Sequence, residues 1–175
     1  DHGVGVLFPR TQYGRQHFVM GYGTPPYKAI VALARLGYTP RFVTEEEVAA
    51  GRPLDVRALV VIGQTFLFPD AVAAGLDRFT TSGGRVLVDG STTIAISRSE
   101  KLGLTFPLAE IGKPHNWTSP NIVPGDNDEM MYERWHATAA PILAAALRET
   151  GRGVLTSDKG SAARCSVFQI DGGAD

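Results

Sequence analysis

Between Val4 and Val88 the chain alternates short apolar runs with longer segments whose apolar residues recur at helical spacing, and no other feature limits the fold as much. The runs are "VGVLF" from Val4 to Phe8, "YTPRFVT" from Tyr38 to Thr44, "ALVVI" inside "VRALVVIG", and "VLV" from Val86 to Val88. Each is too brief for a helix. The valine-rich runs also lack the polar alternation of a strand with one wet face, so they are predicted as strands buried on both sides.

The segments between them carry helix signals. Thr24 offers an N-cap, Pro25 and Pro26 suit a first turn, and Ala29, Ile30, Leu33 and Ala34 follow before Gly37 as a natural stop. Thr44 and Glu47 have the spacing of a capping box for a short helix ending at Gly51. After a turn at Phe68-Pro69-Asp70, the residues Val72, Ala73, Leu76 and Phe79 form one helical face, closed by Gly83-Gly84. The order is β-α-β-α-β-α-β. Right-handed crossovers then predict a parallel sheet with helices on both faces and with Val4–Phe8, Ala58–Ile62 and Val86–Val88 as its central strands. Residues 9–23 are expected to form a long loop.

The second half is less regular. "KLGLTFPLAEIGKPHNWTSPNIVPGDND" is rich in Pro and Gly and is expected to hold short strands or loops. A long helix is predicted from about Asp128 to Thr150, with Met131, Trp135, Thr138, Ile142 and Ala146 along one side and a kink or restart at Pro141. Residues 153–156 and 163–170 are expected to be strands.

Composition narrows the function classes. A length of 175 residues fits one domain spanning 1–175, and a net charge of −1 gives no reason to expect nucleic acid or an anionic membrane as partner. No apolar run reaches the length of a membrane span, and "DHGVGVLFPR" lacks the layout of a signal peptide. One cysteine rules out an intrachain disulfide and a cysteine-rich metal site. The compartment stays open. The absence of an initiator Met, and an end just after a strand-like run, give the expectation of a segment from a larger multidomain protein.

The wording of "VGVLFPR", "YKAIVALARLGYTPRFVTEEEV" and "LDVRALVVIGQTFLFPDAVAAGLDRFTTSGGRVLVDG" resembles the class I glutamine amidotransferase-like fold. Within that group the nearest likeness is the noncatalytic, trimerisation-type domain of β-galactosidases and related glycoside hydrolases. The expected fold is a three-layer α/β/α arrangement, flavodoxin-like, with a mainly parallel sheet. The resemblance covers about half the chain. It implies a domain that works beside others of its own polypeptide; separately, the residues themselves give the expectation of no cofactor and no metal.

An amidotransferase corner after a central strand would carry a cysteine nucleophile, a histidine base and a carboxylate to orient it. Here the corner reads Asp89-Gly90-Ser91-Thr92, without cysteine, and Cys165 falls in a late strand-like run where it fits as a small buried hydrophobe. Ser91 could replace cysteine, but G-x-S-x-G is absent and so is the histidine-proline-glutamate signature that the resemblance would demand. His17, His115 and His136 are the available bases, and His136 lies in the predicted long helix. The corner is therefore expected to be a degenerate elbow of Asp89, Gly90 and Ser91, with Ser91 as an N-cap or turn residue and no catalytic residue.

The loop after the first strand hangs over the carboxyl ends of the strands, the usual ligand crevice of an open α/β sheet. Arg10, Tyr13, Arg15, Gln16 and His17 there, together with Gln64, His115 and Trp117, are candidates for binding a sugar or an anion. The plainer reading, which is preferred, is a surface or interdomain loop, with Trp117 packed on its own core as readily as on a ligand. "GVG" at residues 3–5 lies inside a strand and lacks the third glycine of a dinucleotide loop. "GDNDE" does not match a calcium loop and fits the acidic start of a helix. Asn116-Trp117-Thr118 is a formal glycosylation sequon.

Three functions follow from these residues. The leading one is a noncatalytic accessory domain of a carbohydrate-active protein, supporting interdomain or subunit contacts, with a homo-oligomer left open. The others are a sugar-binding module over the strand ends and a serine hydrolase using Ser91 with His17 or His115.

Overall fold

The computed structural model describes residues 3–12, 25–106 and 128–150. Five strands form one all-parallel sheet in the order β2-β1-β3-β4-β5. β1 (Val4–Phe8), β3 (Ala58–Val61) and β4 (Arg85–Val88) hold the centre, as the strand–helix alternation predicts. β2 (Arg41–Thr44) lies at one edge and β5 (Glu100–Lys101) at the other. The register places Val6 between Phe42 and Val60, and Val60 opposite Leu87.

Successive side chains leave a strand toward opposite faces, and here both faces are covered. Val4, Val6, Ala58, Val60, Ile62 and Leu87 pack in one cluster with α1 (Pro25–Arg35) and α4 (Asp128–Ala146). Leu7, Leu59, Val61, Val86 and Val88 pack in a second with α2 (Glu45–Ala49) and α3 (Asp70–Thr81). That two-sided burial is the reason the strands read as unbroken apolar runs.

Local signals set the helix ends. The Thr44 hydroxyl accepts the Glu47 N–H at 3.2 Å while the Glu47 carboxylate accepts the Thr44 N–H at 2.8 Å, closing the capping box. Burial alone would raise the Glu47 pKa. The Thr44 N–H and the Arg41 guanidinium outweigh it and hold the group below its ordinary value. Three helices end on glycine at positive φ, Gly37 at +82°, Gly51 at +68° and Gly83 at +92°. At the last, the Gly84 N–H reaches the Phe79 carbonyl at 3.0 Å and the Gly83 N–H reaches the Thr80 carbonyl at 3.1 Å, the paired bonds of a Schellman ending. Gly84 has a different reason to be glycine: a Cβ there would lie 2.4 Å from the Phe79 ring.

Several expectations need correction. Residues 10–12 are helical directly after β1, where a loop is predicted. Ala34 and Ala73 are exposed, and Ala32 and Gly75 take the buried places on those helices. Gly75 lets α3 approach α2 so closely that a Cβ would sit 2.1 Å from the Val48 carbonyl oxygen. Phe79 is half-buried, packed against the second cluster instead of inside it. On α4 the buried line is Trp135, Ala139, Leu143 and, just past its end, Leu147, so Thr138 faces solvent. The helix runs through Pro141 without a break; the carbonyl left without its partner belongs to exposed Ala137. The strands expected at 153–156 and 163–170 lie outside the described residues.

Candidate functional site

The carboxyl ends of β1, β3 and β4 bring together buried polar side chains. Asp89 follows β4 directly and is wholly buried. Its Oδ1 accepts the N–H of Gly63 at 3.0 Å, the N–H of Thr92 at 3.1 Å and the Thr92 hydroxyl at 2.8 Å. Its Oδ2 accepts the N–H of Ser91 at 3.1 Å, the N–H of Phe106 at 2.9 Å and the Ser91 hydroxyl. Both oxygens are thus occupied by donors from three separate stretches of chain. A short polar side chain after a strand favours this local capture of backbone N–H groups.

The capture decides the shape of the corner. A nucleophile elbow is a strand, a sharp turn and a helix. Here Ser91 lies in a turn, no helix follows before β5, and the chain returns to pair with β4 in parallel. Gly90 is favoured by close packing and not by backbone angle. Its N–H donates to the Leu104 carbonyl at 2.7 Å, and a Cβ would meet the Thr105 hydroxyl at 2.4 Å. The Ser91 hydroxyl hydrogen is directed to Asp89, and the residue is buried. A serine nucleophile needs that hydrogen shared with a base of the histidine type, in a site a substrate can enter.

The strand order changes direction between β1 and β3, the position at which an open α/β sheet offers its crevice. Gln12 bridges this gap. Its amide nitrogen donates to the Gly63 carbonyl, and its oxygen accepts the Thr65 N–H at 2.6 Å. Gln64 is wholly buried beside it. Its nitrogen donates to the Phe66 carbonyl at 2.6 Å, whereas its Oε1 has no hydrogen-bond partner. On the outer side Thr11 donates through its N–H, at 3.0 Å, and its hydroxyl, at 2.6 Å, to buried Glu45. Exposed Arg10 pairs with Glu46, and that hydrogen bond holds the Glu46 carboxyl below its ordinary value. Arg10 is therefore engaged at the rim and directed along α2.

Of the residues singled out in sequence, Asp89, Gly90, Ser91, Gln64 and Arg10 stand at this carboxyl end. Tyr13, Arg15, Gln16, His17, His115, Trp117 and Cys165 lie outside the described residues. His136 is on α4, in the layer beneath α1. Gln12, Glu45 and Thr92 are brought in by the fold. Their partners lie far away in sequence, except that Asp-Gly-Ser-Thr is a recognisable turn signature for capture of the Thr92 N–H.

A cleft of about 820 Å³ lies at the opposite end of the sheet. It runs between Arg52, Arg57, Arg78 and Arg85 over a floor that includes Val56 and Phe79. Arg85 is held there by Glu100 at 2.7 Å and by the Ala146 carbonyl at 2.8 Å, and this pairing lowers the Glu100 pKa. Among the described residues no group of three or more His, Cys, Asp and Glu is placed to hold a metal, and no helix is long and apolar enough to cross a membrane.

No protein-family model, curated protein or solved structure matches this chain. The architecture is a parallel five-stranded α/β sheet flanked by helices. The amidotransferase-like likeness is one of sequence wording.

Proposed function

We propose that this chain is a noncatalytic, amidotransferase-like accessory domain of a larger carbohydrate-active protein of the glycoside hydrolase kind, serving interdomain or subunit contacts. The observation that carries the reading is the commitment of Ser91 to Asp89. Both hydroxyls at the corner, those of Ser91 and Thr92, are used to fasten it to Asp89. The strand order 2-1-3-4-5 is that of flavodoxin-like sheets, which supports the three-layer form the sequence suggests. The test is direct. Purified domain is assayed with glutamine, a p-nitrophenyl ester and p-nitrophenyl glycosides, beside Ser91→Ala. No turnover above buffer is expected from either; activity in the parent that Ser91→Ala abolishes overturns the reading.

A second reading has its own support. The unpartnered Gln64 Oε1 is a buried acceptor at the crevice, and buried polar groups are as a rule satisfied by protein, water or ligand. A sugar hydroxyl is a suitable donor, with Arg10, Tyr13, Arg15, His17, His115 and Trp117 as further contacts proposed from sequence. Calorimetric titration with mono- and disaccharides tests it, and absence of heat together with an unchanged thermal midpoint removes it.

A further inference from the structure

We infer that Arg41 and Glu47 close the outer edge of β2 to strand addition, so that a second copy of this chain does not extend the sheet there. β2 is an edge strand, and no described strand lies beyond it. Such an edge presents a row of backbone groups to any passing chain and is a standing route to association. On β2 that row can be assigned. The Thr44 N–H is given to the Glu47 carboxylate at 2.8 Å, so it points away from β1. Backbone groups alternate sides along a strand, and Phe42 and Pro40 therefore face the same way as Thr44. Pro40 has no N–H to offer. The Phe42 carbonyl accepts Arg41 Nη1 at 3.0 Å, and the same nitrogen donates to Glu47 at 2.9 Å. A new strand would find at most the Phe42 N–H. To dock, it would have to displace a guanidinium held by two acceptors, one of them charged. Contacts with another subunit or domain on this side are then made through side chains and not through the sheet. The inference stands whether or not the accessory-domain reading does.

The experiment uses the 175-residue chain. In the wild type the Phe42 amide hydrogen should exchange quickly and that of Val43, which faces β1, slowly. Sedimentation velocity over a series of concentrations then compares wild type with Arg41→Ala. Arg41→Ala is expected to associate about tenfold more tightly, the effect of clearing one charge-assisted hydrogen bond from the edge, and its Phe42 amide should become protected as it does so. Arg41→Lys should stay with the wild type, since a lysine on an edge still guards it. Thr44→Ala opens the capping box and keeps Arg41. It too should stay with the wild type, which separates a guarded edge from a loosened α2. Should Arg41→Ala not fold, Glu47→Gln frees Arg41 while keeping an acceptor for the Thr44 N–H, and carries the same expectation. Association no tighter than wild type, or as tight in Thr44→Ala, or without protection of Phe42, overturns the guard. So does a slowly exchanging Phe42 amide in the wild-type monomer.

Discussion

The Asp89 carboxylate accepts the Phe106 N–H at 2.9 Å across a separation of 17 residues, and so fastens the chain beyond β5 to the end of β4. The same side chain holds Gly63 beyond β3 at 3.0 Å. Its removal would leave several buried N–H groups without acceptors, each costing about 1–3 kcal/mol. Asp89→Ala should therefore destabilise the domain by about 3–5 kcal/mol in urea unfolding. Asp89→Asn should cost about 2 kcal/mol or more, because an amide presents one acceptor atom and turns a donor toward N–H groups. A loss below 1 kcal/mol in both would show that the corner is held by something else.

Ser91→Ala removes one of the six hydrogen bonds to Asp89 and leaves the backbone captures in place. The expected cost is about 1 kcal/mol, read as a lower urea midpoint with an unchanged slope.

Gly75→Ala is a sharper test of how the layers fit. The new methyl would fall 2.1 Å from the Val48 carbonyl oxygen, a backbone atom that cannot rotate away. The α2–α3 contact must open, at about 3 kcal/mol, the upper part of the range for overpacking. A neutral outcome would mean that the two helices slide freely over each other.

Phe79→Ala should cost about 2 kcal/mol, below the 3–5 kcal/mol common for a wholly buried aromatic, since the ring is half-buried and covers Gly84 on one side only. Thermal unfolding of this variant beside Leu76→Ala checks the order, with Leu76, 2% exposed, expected to lose more.

Thr44→Ala should cost about 1 kcal/mol by opening the capping box. Its partner makes this box sensitive to acid. The Glu47 pKa is lower in the folded chain than unfolded, so the stabilisation is present above the ordinary glutamate value of about 4.3 and is lost as pH falls through the lower folded value. Glu100, lowered by its hydrogen bond from Arg85, acts in the same direction. The stability difference between wild type and Glu47→Gln should hold steady from pH 7 to about 5 and shrink toward zero below about 4. Both carboxylates are well exposed, so added salt should diminish it.

The central strands were legible because burial on both faces leaves no room for polar residues between Val4 and Leu7 or between Ala58 and Ile62. Helix phase was harder. Ala34 and Ala73 are apolar yet small, and exposure costs them little, so periodicity could not place them. α4 is rich in alanine all round, and its buried line falls one position away from Thr138. β5 consists of Glu100 and Lys101, two exposed charged residues with no apolar signal; its place comes from backbone pairing to β4 and from Arg85. At the candidate site the corner itself was visible as Asp-Gly-Ser-Thr. Gln12 was not, because its partners Gly63 and Thr65 are 51 and 53 residues away.

One carboxylate that gathers the amides of Gly63, Ser91, Thr92 and Phe106 also ties their fluctuations together. Each of these N–H groups loses its buried acceptor on leaving Asp89, so they should exchange their hydrogens with solvent as one slow class, in a single concerted opening of the rim. A neighbouring domain that presses on the loop after β3 would then be felt beyond β5 through a single side chain, with no longer relay between them.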